Sequence, residues 1–260
     1  MPGLIQNLLA YPRALRPRRH IFLLSHMRAY TSLCGHIMGS SPGICGYYEM
    51  HIGYHSWRSL VRQKLLYFRD EAPKAGPFRM FDKILHNDHD MAPQLLEMPR
   101  VQALYSLRHP RHTLPSILRL YAKVDPQHPF TTPGFATDYY IARLEELERL
   151  ALGMQREFFY FDAPALVQDT AQCLDALGNW LQLEAPLSSH YQVQKKTAAD
   201  RYGDNSRELR SGRIERAHET GADGGAAVPQ ELVDRAARTW ERVRETLVTR
   251  SAARCLAAGA

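Results

Sequence analysis

Short, continuously apolar runs alternate along this chain with stretches whose apolar residues recur every three or four positions. Ile21-Phe22-Leu23-Leu24 is uninterrupted and stops at Ser25 and His26, so residues 20–25 predict a buried strand. Runs of the same character at 78–85, 101–107 and 158–161 predict three more. Between them the spacing is helical. A helix over 32–38 is broken by Ser40-Ser41-Pro42-Gly43, and Trp57, Leu60, Val61, Leu65 and Phe68 mark a second, amphipathic one. Short helices are expected over 91–98 and 115–122. A longer one covers 139–150, where Ile141, Leu144, Leu147 and Ala151 fall on one side. Leu174, Leu177, Trp180 and Leu181 predict a helix over 171–183, and Pro229 opens a last one through Ala236, Trp240, Val243 and Leu247.

Strands alternating with helices predict an α/β fold with a central parallel sheet covered by helices on both faces. Residues 186–228 break the pattern: they are polar, rich in Arg, Asp, Ser and Gly, and end in GADGGAA. This composition predicts a long functional loop or a partly disordered segment rather than a second core. Residues 1–260 are therefore expected to form one domain.

Composition narrows the function more than the fold. The chain has 260 residues, 45% of them hydrophobic, and 33 Lys and Arg against 27 Asp and Glu give a net charge of +6. That surplus suits an anionic ligand: nucleic acid, phospholipid or a phosphorylated small molecule. Cys34, Cys45, Cys173 and Cys255 show no CxxC spacing, which predicts a reduced, cytoplasmic chain without a disulfide framework. No metal site is expected among the 12 histidines, of which His86 and His89 are the closest approach to a ligand pair. No stretch approaches the ~18 apolar residues of a membrane span, and the N-terminal basic cluster follows the apolar residues, the reverse of a secretory signal.

Two stretches carry chemistry. IFLLSHMRAYTSLCGHI runs from a strand into a helix that begins at Thr31 and Ser32. Amides of a helix's first turn, the positive end of its dipole and two hydroxyls make an anion site, with Arg28 at its rim. It lacks the GxxxxGK[ST] pattern of an ordinary nucleoside triphosphatase. LYSLRHPRHTLPSILRLY repeats the design, with Arg108 at a strand end and Ser116 eight residues on, a fork and a hydroxyl fit for a second phosphate.

Together these stretches resemble the sulfotransferases that use 3′-phosphoadenosine-5′-phosphosulfate (PAPS). The family's 5′-phosphosulfate loop usually reads R-S-G-[ST]-[ST]-L after the first strand, and Arg28-Ala29-Tyr30-Thr31-Ser32-Leu33 is similar to it, with Ala29-Tyr30 in place of Ser-Gly. The 3′-phosphate motif, often R-D-P-R-D-x-x-x-S, resembles Arg108-His109-Pro110-Arg111-His112-Thr113-Leu114-Pro115-Ser116, with His109 and His112 replacing the aspartates. Ser41-Pro42-Gly43-Ile44…Gly46-Tyr47-Tyr48-Glu49 looks like the family's H-P-x-I-x-x-x-x-E region, and Phe81-Asp82-Lys83-Ile84-Leu85-His86-Asn87 like the strand end that supplies a lysine. Arg201-Tyr202-Gly203-Asp204, ending in Ser211-Gly212-Arg213-Ile214, looks like the late loop that closes on the cofactor. The five segments stand in the family's order over residues 20–250.

The resemblance implies a P-loop-like sulfotransferase fold and transfer of a sulfuryl group from PAPS to a hydroxyl of a small molecule, a natural product or carbohydrate, leaving adenosine 3′,5′-bisphosphate. It implies that Arg28, Ala29, Tyr30, Thr31 and Ser32 hold the 5′-phosphosulfate, and that Arg108 and Ser116 hold the 3′-phosphate. Tyr202, Gly203 and Arg213 close over the nucleotide. Lys83 neutralises the bridging oxygen, and Glu49 takes the acceptor's proton. His51 is the rival base, on the same face as Glu49 if the stretch is extended. Pocket walls are expected from 51–77, 123–138 and 186–228, and a homodimer stays open. Two other classes also stay open: a non-catalytic binder of nucleic acid or other phosphate ligands, and a small-molecule kinase. Scattered Lys and Arg without an aromatic-interleaved stripe argue against nucleic acid. The missing P-loop lysine argues against a kinase.

Overall fold

His20–Leu24 form β1, and all five residues are buried, as an apolar run covered on both faces requires. The computed structural model describes residues 10–196, 207–215 and 227–257. The other strands are β2 (Ile44–Cys45), β3 (Arg79–Ile84), β4 (Val101–Leu107), β5 (Phe159–Asp162) and β6 (Ala253–Cys255). They lie in one sheet in the order β2-β3-β1-β4-β5-β6, and every pairing is parallel. Helices fill the crossovers: α1 (Thr31–Ser40), α2 (Trp57–Asp70), α3 (Pro93–Leu96), α4 (Pro110–Val124), α5 (Pro133–Gly153), α6 (Ala165–Gln168), α7 (Thr170–Leu181), α8 (Arg207–Arg210) and α9 (Gln230–Arg250).

Side chains of each strand alternate between two cores. Phe22, Leu24, Tyr105 and Tyr160 point to one, closed by α4, α5 and α9 through Leu114, Leu144, Leu147, Trp240 and Val243. Ile21, Leu23, Leu104 and Phe159 point to the other, closed by α1 and α7 through Cys34, Ile37, Leu174 and Leu177. A smaller cluster packs Leu65 and Phe68 of α2 on Cys45 and Met80. At roughly 1.5–3 kcal/mol per fully buried large apolar side chain, these layers are the main source of stability.

The expected strands and helices are present, with local differences. The fourth helix starts at Pro110 rather than at Pro115, because His109 Nδ1 caps it by accepting from Arg111 N at 3.1 Å and Pro110 occupies the first helical position. Pro115 then sits inside the helix. The stripe that α5 buries includes Tyr140 and Arg143, whereas Ile141 is only partly covered. Trp57 is 58% exposed at the start of α2. Of the segment 186–228, residues 187–196 and 207–215 pack near α1. Tyr191 N donates to Gly212 O at 2.8 Å, Ile214 N to Ser189 O at 2.8 Å and Gln192 N to Ser40 Oγ at 2.8 Å.

β1 continues to β3 on one side, and the chain later crosses to β4 on the other, so the strand order reverses between β1 and β4. At such a point the loops leaving the carboxyl ends of the strands diverge and open a crevice. Arg28 follows β1 and Arg108 follows β4.

Candidate active site

The turn after β1 is tightly constrained. Arg28 and Tyr30 both have left-handed backbone, with φ of 62° and 52°. Tyr30 is the residue before α1, and its carbonyl accepts from Cys34 N at 2.9 Å to start the helix. A glycine takes this conformation without strain, while a tyrosine there costs roughly 1–2 kcal/mol. The ring is held by Arg108, whose guanidinium lies 4.6 Å from its centroid. Arg108 Nη1 also donates to Arg28 O at 3.0 Å. Arg28 Nε donates to Ser116 Oγ at 2.9 Å, so the two basic turns are joined directly.

Buried groups fix the strand ends beneath. Burial and the neighbouring charges of Arg143 and Arg108 outweigh a hydrogen bond to Met27 and push His26 down to about 3, so its imidazole is neutral. Its Nδ1 donates to Met27 O at 2.8 Å and its Nε2 accepts from Arg108 N at 3.0 Å. The Arg108 carbonyl accepts from Tyr140 Oη at 2.7 Å. Arg143, 2% exposed, donates to Ser25 O at 2.8 Å, Ile84 O at 2.6 Å and Asn87 Oδ1 at 2.9 Å, tying the ends of β1 and β3 together. Tyr139 Oη donates to Leu85 O and accepts from Met27 N, at 2.8 and 2.9 Å.

Arg28, Tyr30, Thr31, Ser32, Arg108 and Arg213 line one cleft together with Tyr191, Leu209 and Ile214. Ser116 stands at its rim through Arg28, and Ala29 is buried in the turn itself. Lys83 is 2% exposed at the end of β3, and its Nζ donates to Ser32 Oγ at 3.2 Å. Tyr191 Oη donates to Arg213 O at 3.2 Å, which anchors the 211–215 segment over the cleft. Tyr202 and Gly203 lie outside the described residues.

Glu49 and His51 form a second group. Glu49 is 7% exposed, and its Oε1 is buried without a hydrogen-bond donor, 3.8 Å from His51 Nδ1. The stretch is not simply extended, since His51 has φ of 51°, yet the two side chains still meet. His51 Nδ1 lies 3.3 Å from His89 Nε2. Asp82 connects the groups. Its Oδ1 accepts from Met50 N at 3.1 Å and Lys83 N at 2.8 Å, and its Oδ2 accepts from Tyr54 Oη at 2.5 Å. Burial raises the Asp82 carboxyl to about 7, with the charge of Glu49 adding to it and the hydrogen bonds opposing.

Sequence reasoning gave no role to Asp82, His26 and Arg143. Two of them carried a signal: Asp82 is a carboxylate beside Phe81 within a buried strand, and Arg143 a charge on an apolar helix face. Such residues stay buried only when their polar atoms are satisfied by a specific arrangement.

No protein-family model matches the chain, and no curated protein sequence is similar to it. Solved structures are similar in fold. The sulfotransferase domain from the curacin biosynthetic pathway superposes with a TM-score of 0.56 at 14% identity, over 87% of this chain and 98% of that one. The sulfotransferase domain from the Synechococcus PCC 7002 olefin synthase does so with a TM-score of 0.57 at 15% identity, over 87% and 96%. The chain has the fold of these sulfotransferase domains.

Proposed function

We propose that the protein is a PAPS-dependent sulfotransferase that acts on a hydroxyl of a small molecule. The observation that carries this reading is the buried Lys83 amino group beside Ser32, where the basic turn after β1 meets Arg108 from the end of β4. Its Nζ reaches the first turn of α1, where an anion held by the helix-start amides would lie beside it. The similarity in fold to sulfotransferase domains supports the same reading.

The residues fit the donor: one cleft gathers Arg28, Arg108 and Arg213 with the hydroxyls of Thr31 and Ser32. PAPS supplies an activated sulfuryl group on its 5′-phosphate. Thr31, Ser32 and the amides of the first turn of α1 hold that phosphate, and Arg28 closes its rim. Arg108 and Ser116 hold the 3′-phosphate. Lys83 offsets charge on the leaving oxygen, stabilisation made in place before reaction. Glu49 Oε1, the buried acceptor atom without a donor, takes the acceptor's proton, and His51 is the alternate base 3.8 Å away. Asp82 holds the backbone beside Glu49 and that of Lys83 on one carboxylate oxygen, which fixes base and lysine relative to each other.

Thermal melting with adenosine 3′,5′-bisphosphate tests the reading. At one hundred times its Kd a ligand that binds the folded state adds about 2.7 kcal/mol. For a chain of this size that raises Tm by roughly 5–10 °C. Adenosine 5′-phosphate at the same concentration should shift it less. An unchanged curve at millimolar bisphosphate overturns the proposal.

A further inference from the structure

Glu49, His51 and His89 are, among the described residues, one group of three ligand-bearing side chains whose ligand atoms all lie within 4.8 Å of one another. They come from two separate loops: Glu49 and His51 follow β2, and His89 follows β3. His51 Nδ1 and His89 Nε2 stand 3.3 Å apart. Two ligand atoms of a tetrahedral zinc, bonded at 2.0–2.1 Å, are separated by roughly 3.3 Å. A second edge, Glu49 Oε1 to His51 Nδ1, is 3.8 Å and needs a side-chain movement of about half an ångström.

A second observation points into the same space. Glu49 is more than nine-tenths buried, yet its Oε1 has no hydrogen-bond donor. A buried carboxylate oxygen in that state needs an explanation, and a cation at the centre of the group supplies one. His51 is exposed and His89 half-buried, which leaves an approach from solvent and a fourth coordination position open.

We infer that Glu49, His51 and His89 bind one divalent transition-metal ion, with zinc the best match to two imidazoles and one carboxylate. The ion occupies the two atoms that the proposed function assigns to the acceptor's proton, Glu49 Oε1 and His51 Nδ1. On that reading of the site, the metal-loaded protein is switched off and free metal inhibits transfer. The binding itself does not depend on the reading.

The test uses the full chain, freed of metal by a chelator and without an added histidine tag. Zinc is titrated in competition with a chromophoric chelator, and cobalt is followed by its visible absorption, which is strong only in four-coordinate sites. We expect one zinc per chain with a Kd below about 1 μM, the range of a three-ligand site, and a tetrahedral cobalt spectrum. His89→Ala should weaken zinc by roughly 100-fold or more, and Glu49→Gln should also abolish the spectrum. The melting shift given by adenosine 3′,5′-bisphosphate should survive His89→Ala. Absence of tight zinc binding overturns the inference, as does binding that both variants leave unchanged. Zinc binding without any response to the nucleotide would sink the functional reading and keep the metal site, while the reverse result would sink the metal site alone.

Discussion

Removing the Arg108 side chain takes away one link between the two basic turns without touching the backbone that carries them. The residue's N–H is held by His26 Nε2 at 3.0 Å, and its carbonyl by Tyr140 Oη at 2.7 Å and Thr113 Oγ1 at 3.2 Å. None of these involves the guanidinium, so Arg108→Ala should keep the strand end in place. What it loses is the bond from Nη1 to Arg28 O and the contact with the Tyr30 ring. A hydrogen bond of about 1 kcal/mol and a cation–π contact of about 0.5–1 kcal/mol put the stability loss near 1.5–2 kcal/mol. Tm should therefore fall by roughly 3–8 °C. For ligand binding, a charge-assisted contact to the 3′-phosphate is worth about 1.5–3 kcal/mol, or roughly 10- to 150-fold in Kd. Adenosine 5′-phosphate lacks that phosphate, so its affinity should fall by much less. Calorimetric titration of both nucleotides into the wild type and the variant reads the difference directly. Equal losses for the two would show that Arg108 does not hold the 3′-phosphate.

Four other substitutions probe the site and the buried groups around it. Glu49→Gln should keep nucleotide affinity and lose sulfuryl transfer by roughly 10²–10⁴ in rate, with His51→Asn costing far less; the converse result in a labelled-PAPS assay would pass the base role to His51. Asp82 has its pKa raised from 3.8 to about 7, so between those values the folded chain keeps a proton that the unfolded chain releases. Its contribution is thus fully present below about pH 4 and declines as pH rises to 7, by up to about 4 kcal/mol. Asp82→Asn should flatten the fall in urea-unfolding stability between pH 4 and 7, and an unaltered slope would count against the raised carboxyl. Asp162 is buried and accepts from Arg244 Nε and Nη2 at 2.8 and 2.6 Å, Tyr160 Oη at 2.6 Å and Ala257 N at 3.1 Å. Asp162→Ala strands Arg244 and should cost about 3–5 kcal/mol, measurable in the same unfolding experiment; a loss below 1 kcal/mol would contradict it.

The sheet was legible because its central strands are covered on both faces, so β1, β4 and β5 appear as short, mostly apolar runs, and β3 as a buried stretch around Met80-Phe81 and Ile84. β2 and β6 were not. Ile44–Cys45 is too short to show a period, and Ala253–Cys255 lies at the sheet's edge with Arg254 exposed. The two basic turns were legible for a local reason: a strand end, a basic residue and a helix start are neighbours in sequence. Lys83 and Glu49 could be placed only through resemblance, since neither has a local pattern that distinguishes it from a surface residue. His89 and Asp82 needed the tertiary structure. Nothing in the spacing of 49, 51 and 89 announces that two loops from neighbouring strands converge, and Asp82 acts through backbone amides that sequence does not display.

Tyr30 shows how a departure from a familiar pattern is absorbed. The turn demands left-handed backbone at this position, which glycine supplies freely and tyrosine takes at a cost of roughly 1–2 kcal/mol. The ring offsets part of that cost by receiving the Arg108 guanidinium at 4.6 Å, a contact worth about 0.5–1 kcal/mol at a partly exposed site. Without the ring, Arg108 would lose one of its ties to this turn and keep its bond to the carbonyl of Arg28. With it, the guanidinium is held on two sides, by the turn after β1 and by a platform from that same turn. The strain at Tyr30 is therefore coupled to the placement of Arg108. Strain that persists at a ligand cleft requires a surrounding structure that fixes it. Here that structure is the set of bonds from Arg108 to Arg28, from Arg28 to Ser116 and from Arg108 N–H to His26. Affinity for an anion in this cleft depends on how readily Arg28 and Arg108 exchange these partners for phosphate oxygens, because both are already engaged before any ligand arrives.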